Sequence, residues 1–118
     1  MDKTEEIKTK RKWAHDKLLK KNSEVYKAFL KMEKATYCDG AVSRKNKELI
    51  AIGISVVINC ESCMQWHVEQ AVLYGATEKE VIEAIEVGIE MGGGPATANA
   101  RFALEVLERV LQRKQIKQ

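Results

Sequence analysis

The sequence predicts an all-α fold of about six helices, and three observations lead there. Apolar residues recur at three- and four-residue spacing in most segments, as one face of a helix requires. Ser, Thr, Gly and Asp-Gly signals stand where helices would start and stop. The single proline, Pro95, follows three glycines at a position suited to a first helical turn, so no apolar segment is interrupted by it.

Residues 3–20 are rich in Lys, Glu and Leu and lack Gly and Pro, a helix-permissive composition. Apolar positions are sparse there (Ile7, Trp13, Leu18, Leu19), so residues 1–21 are expected to form a peripheral helix. Asn22 or Ser23 is placed to cap a second helix, in which Val25, Phe29 and Met32 recur at helical spacing before Asp39-Gly40 marks a turn. Ser43 is the expected cap of the third segment, with Lys45, Lys47 and Glu48 in its first turns.

Residues 49–58 are ambiguous. Ile50, Ile52, Ile54, Val56 and Ile58 alternate with period two and are β-branched, as in a strand, and a strand running into Cys-x-x-Cys is the thioredoxin pattern. Leu49, Ala51, Gly53 and Val57 fill most of the gaps, which makes the segment apolar all round and equally suits a buried helix. Helix is favoured because no other segment offers a partner strand.

Residues 60–74 form the next expected helix, with Met64, Val68, Ala71 and Val72 toward the core and Gly75 as a left-handed stop. Thr77-x-x-Glu80 reads as a capping box ahead of the apolar line Val81, Ile82, Ile85, Ile89. Gly92-Gly93-Gly94 ends that helix. The last one, from Pro95, carries the stripe Ala103, Val106, Leu107, Val110, Leu111 and a basic tail expected to fray.

At 118 residues and 45% hydrophobic content the chain is expected to be one globular domain, 1–118, able to bury a core without a disulfide framework. Three unevenly placed cysteines and an amino terminus without the apolar core of a signal peptide predict a reducing, cytoplasmic setting. The longest apolar run is about half of what spans a bilayer, which argues against a membrane protein. Residues 1–34 carry eleven Lys or Arg against six acids, but the two signs are interleaved. That is a solvated helix face rather than a nucleic-acid surface.

The chemistry is concentrated in residues 48–67. Cys60 and Cys63 have the spacing that lets two thiols on a first helical turn close into a disulfide, and His67 falls one turn beyond Cys63. A helix amino terminus stabilises a thiolate, and His67 in reach of Cys63 would take its proton. If the two apolar helices form an antiparallel hairpin turning near Asn59, Glu48 comes within reach of His67 and serves as its carboxylate partner. The same residues admit a metal reading, in which Cys38, Cys60, Cys63 and His67 form a Cys₃His zinc site or interaction module. Cys38 is otherwise an incidental thiol, and His15 an expected surface residue.

The chain resembles the AhpD-like alkylhydroperoxidase and carboxymuconolactone decarboxylase superfamily. The resemblance spans residues 25–96 and rests on Gly40-Ala41-Val42-Ser43, Glu48-Leu49-Ile50, Cys60-x-x-Cys63-x-x-x-His67, Gly75-Ala76-Thr77 with Glu80-Val81, and the break at Gly92 to Pro95. It implies an AhpD-like helical bundle with Cys-x-x-Cys at the start of a central helix, usually assembled as a trimer or hexamer. It also implies a thiol peroxidase or protein disulfide reductase site that needs no cofactor. By position Cys63 matches the peroxide-attacking cysteine, Cys60 the resolving one, and Glu48 and His67 a proton relay; a peroxide would be the substrate and an external dithiol the electron donor. Where peroxidase members can carry a second histidine between the cysteines, this chain has Ser62. The cysteine pair points away from the decarboxylase branch, whose members generally lack it.

Overall fold

A computed structural model describes residues 2–117 of the chain. Six α-helices follow one another: α1 (Lys3–Lys20), α2 (Glu24–Thr36), α3 (Arg44–Ile58), α4 (Glu61–Leu73), α5 (Glu78–Gly92) and α6 (Gly94–Lys117), with no strand among the described residues. The all-α expectation holds, and residues 49–58 are helical. Their boundaries give the reason: the Ser43 hydroxyl accepts the Asn46 N–H at the start, and Asn59 takes the left-handed conformation that stops the helix.

Local signals placed most of the other boundaries. Ser23 caps α2, whereas Asn22 adopts positive φ and ends the preceding turn. The Thr77–Glu80 box is reciprocal, with both side chains bonded to the opposing backbone N–H groups. The basic tail departs from expectation: its backbone stays helical through Lys117.

The core lies among α3, α4, α5 and α6. Ile52 and Val56 from α3, Met64 and Val68 from α4, Val81 and Ile85 from α5, and Ala103 and Val106 from α6 are buried together. Each of the larger aliphatic side chains contributes about 1.5–3 kcal/mol. Helices α3 and α5 touch backbone to backbone, because a Cβ on Gly88 would lie only 2.7 Å from the Gly53 carbonyl oxygen. The Asn99 amide donates to the Val56 carbonyl at 2.8 Å and ties α6 to α3.

The α1–α2 hairpin is attached differently. Helix α1 rests on α4 through Ile7 and through the ion pairs Lys3–Glu61 and Lys8–Glu69, at 2.6 and 3.0 Å. Helix α2 buries no residue at all. Among the described residues, no helix is long and apolar enough to cross a membrane.

Candidate active site: a cysteine pair, an imidazole and a buried carboxylate

The reversal at Asn59 makes α3 and α4 an antiparallel pair and puts the cysteines at its turn. Cys60 is the N-cap of α4: its backbone is extended, and its Sγ accepts the Cys63 N–H at 3.1 Å. Cys63 is therefore the third residue of the helix, its Cα 5.2 Å from that of Cys60, and the two sulfurs are bonded as a disulfide. In the reduced state the unpaired N–H groups of this first turn favour thiolate over thiol.

One turn on, His67 Nδ1 lies 2.6 Å from Glu48 Oε1. Nδ1 is thus the ring nitrogen engaged by Glu48, and Nε2 is the one left outside that contact. Glu48 is 0% exposed, and its other oxygen is approached by Arg44 Nε at 3.5 Å. The α3–α4 pairing brings Glu48 within reach of His67, as expected of an antiparallel hairpin; a glutamate merely facing the dipole of a helix start would be solvated, and this one is not. The Tyr37 ring lies against His67 with centroids 5.0 Å apart and the ring planes tilted by 38°. Burial, with the negative charges of Glu48 and Glu33, holds the Tyr37 hydroxyl above its ordinary pKa, so it stays neutral beside the pair.

Cys63 and His67 border a cleft of about 920 Å³ between the α1–α2 hairpin and α4, walled by Trp13, Phe29, Leu30 and Trp66. Cys60 is not part of its wall. A smaller cavity of about 190 Å³, bordered by Glu33, Tyr37, Arg44 and Glu48, lies on the carboxylate side of the pair, and Trp66 borders both. The cysteine and the carboxylate thus face different spaces, with the imidazole between them.

A profile of the carboxymuconolactone decarboxylase family matches residues 23–106, most of the chain. The chain belongs to this family. Among curated proteins it is 41% identical over 83 residues to uncharacterized protein 4 in the cox locus of Paracoccus denitrificans, a match covering 70% of this chain and 75% of that protein. An uncharacterized protein of Cupriavidus necator is 39% identical over 77 residues, covering 65% and 68%. The fold is that of a carboxymuconolactone decarboxylase family protein from Legionella pneumophila, crystallised in its apo form, with TM-score 0.88, 33% identity and 93% and 98% of the two chains covered. A Thermotoga maritima family protein, for which involvement in an antioxidative response has been suggested, superposes with TM-score 0.86 at 25% identity over 95% of each chain.

Two expectations about this family member need correction. The zinc reading fails: Cys38 is exposed in the α2–α3 loop, its thiol on the Ala35 carbonyl at 3.3 Å, and Cys60 and Cys63 are bonded to each other. Among the described residues no group of three or more His, Cys, Asp or Glu is arranged to hold a metal ion. His15 is not a free surface residue either; it is half-buried at the cleft wall, with Nδ1 2.6 Å from the Tyr26 hydroxyl. The pairing joins α1 to α2, which no periodicity within α1 reveals.

Two arginines at the site have no signal in the sequence. Arg44 reaches Glu48, the Tyr74 hydroxyl at 2.6 Å and Gln70 at 3.3 Å, with its guanidinium 3.8 Å from the Tyr74 ring centroid. Arg11 comes from α1 onto the first turn of α4 and donates to Ser62 and Gln65. Both look like ordinary helix-surface cations until the helices are packed.

Proposed function

We propose that this family member is a thiol-dependent hydroperoxide reductase that cycles the Cys60–Cys63 pair. The observation that carries the reading is Cys63 on the wall of a large cleft, one helical turn from an imidazole held by a buried carboxylate. The Cys63 thiolate attacks the terminal oxygen of the peroxide; the O–O bond breaks, the sulfur becomes a sulfenic acid, and the alkoxide leaves with a proton from the His67–Glu48 pair. The Cys60 thiol then displaces water from that sulfenic acid to form the disulfide, which an external dithiol reduces by exchange. A cytosolic setting, where such donors are kept reduced, suits the cycle.

The division of roles rests on position. Cys63 borders the cleft and shares a helix face with His67, whereas Cys60 sits behind it as the N-cap. Val25, Phe29 and Met32 on α2, with Ile50, Ile54, Val87 and Met91 along α3 and α5, leave apolar surface uncovered. We therefore expect a symmetric homo-oligomer, a trimer or hexamer by family resemblance; a monomer in sedimentation at micromolar concentration would count against it.

The test is consumption of cumene hydroperoxide and of hydrogen peroxide by the reduced protein with a dithiol in excess, with loss of two thiols per peroxide in the absence of donor. Dithiol oxidation that requires the protein but no peroxide, with a small disulfide as acceptor, would replace this reading by a disulfide reductase.

A further inference from the structure

The contacts of Arg11 are unusual for a cation on a peripheral helix. Its Nη2 donates to the Ser62 carbonyl at 2.7 Å and to the Ser62 hydroxyl at 3.0 Å, its Nη1 donates to Gln65, and the guanidinium lies 5.3 Å from the centre of the Trp66 ring. All three acceptors are uncharged, so the charge is anchored without being neutralised by a bonded carboxylate. Ser62 is the residue between the cysteines and immediately precedes Cys63, and Arg11 and Cys63 border the same cleft. The half-buried setting is costly for the cation and pushes its pKa down, although guanidinium remains charged at any working pH. Arg11 also lies outside the residues 23–106 that match the family profile.

Other charges facing this part of the cleft are accounted for. From α1, Glu5 is paired with Arg113 and Lys12 with Asp16; from α4, Glu69 is paired with Lys8. His15 is bonded to Tyr26, whose hydroxyl is kept neutral by burial and by the charges of Glu33 and Asp16. His67 belongs to Glu48. Glu69 and, less strongly, Glu33 of α2 are the acids whose charges act on Arg11 through space.

We propose that Arg11 is a positioning residue for the cysteine pair, which clamps the Ser62 turn to α1 and keeps beside Cys63 a positive charge that favours its thiolate. This rests on the reading of Cys63 as the reacting thiol. An opposite charge at short range lowers an acid's pKa, and the half-excluded solvent of the cleft wall screens it less than open water does. Helix α1 is then the support of the nucleophile's charge state as well as a wall of the cleft.

The test uses the full chain carrying Cys38→Ser and Cys60→Ser, so that Cys63 is the single thiol, and follows the pH dependence of its alkylation by iodoacetamide. Arg11→Met should raise the midpoint by about one pH unit and slow alkylation at pH 7 up to roughly tenfold. Arg11→Lys, which keeps charge without the forked contact, should restore most of that shift, and Ser62→Ala should leave the midpoint in place. Should the methionine variant fail to fold, Arg11→Gln retains a donor for Ser62 and should show the same upward shift. An unchanged midpoint in a folded Arg11→Met or Arg11→Gln variant overturns the assignment. Alkylation needs no peroxide, so absent peroxide turnover would count against the proposed function, and an unmoved midpoint against Arg11 alone.

Discussion

The α3–α4 pair and the α1–α2 hairpin are built on opposite terms. Helices α3 and α4 bury Ile52, Val56, Met64 and Val68 completely, and among their charged residues Glu48 too is sealed from solvent with a partner. Helix α2 has no buried residue, and Val25 on it is 83% exposed. Yet both border the same cleft. Close packing holds His67 and Glu48 in register beside the cysteine pair; on the proposed function, the lightly held hairpin is the part that would shape what reaches them. The hairpin is joined to the rest by polar contacts of Arg11, Lys3 and Lys8 more than by burial.

The sharpest way to break this division is at the sulfur. Cys63→Ser should abolish peroxide turnover, whereas Cys60→Ser should leave one round of sulfenic acid that a dimedone-type probe traps at residue 63. Trapping at residue 60 would reverse the roles. Next comes the buried pair: Glu48→Gln keeps size and removes charge, and turnover should fall by roughly 10² to 10⁴. Diamide should still close the disulfide in that variant. His67→Asn combined with it should be little worse than the poorer single variant, since members of one relay are not additive; fully additive losses in steady-state rates would separate the two residues.

Packing supplies a smaller contrast. Gly88→Ala forces a methyl against the Gly53 carbonyl and Val56 and should cost about 1–3 kcal/mol in a denaturant melt. Met32→Ala on α2, measured at concentrations too low for assembly, should change stability by less than about 0.5 kcal/mol. A core-sized loss at Met32 under those conditions would contradict the peripheral placing of α2.

The smallest effect concerns acid. The Glu80 carboxylate is held below its ordinary pKa of 4.5, first by the Lys45 ammonium and then by the Thr77 N–H. A lowered folded pKa stabilises the fold fully above the unfolded value and loses that contribution as pH falls through the folded one. Glu80→Gln preserves the capping box, so its melting temperature should drop less than wild type between pH 7 and pH 3.5. An equal drop would mean that Lys45–Glu80 is too solvated to register.

Much of this was legible because it is local. Ser43, Thr77 and Gly75 act on the backbone within four residues, so their roles follow from chain order alone. The Cys60, Cys63 and His67 spacing works in the same way, since successive turns from the Cys60 cap carry Cys63 and then His67 along one side of α4 whatever surrounds them. Glu48 was reachable at one remove, since a hairpin of two apolar helices with a stop at Asn59 dictates which residues face each other. Residues 49–58 marked the limit: β-branched alternation and all-round apolarity describe one sequence equally well, and only the absence of partner strands favoured the helix.

What the sequence determined by itself was thus the set of helices, most of their ends, and the spacing of the candidate site side chains along α4. The packing of the helices against one another is another matter. It placed Arg11 on Ser62, His15 on Tyr26 and Trp66 between two cavities, and it left Cys38 outside the site. The Arg11–Ser62 contact joins residues 51 positions apart through a long flexible side chain, which carries no periodicity and gains a direction only when another helix supplies the acceptor.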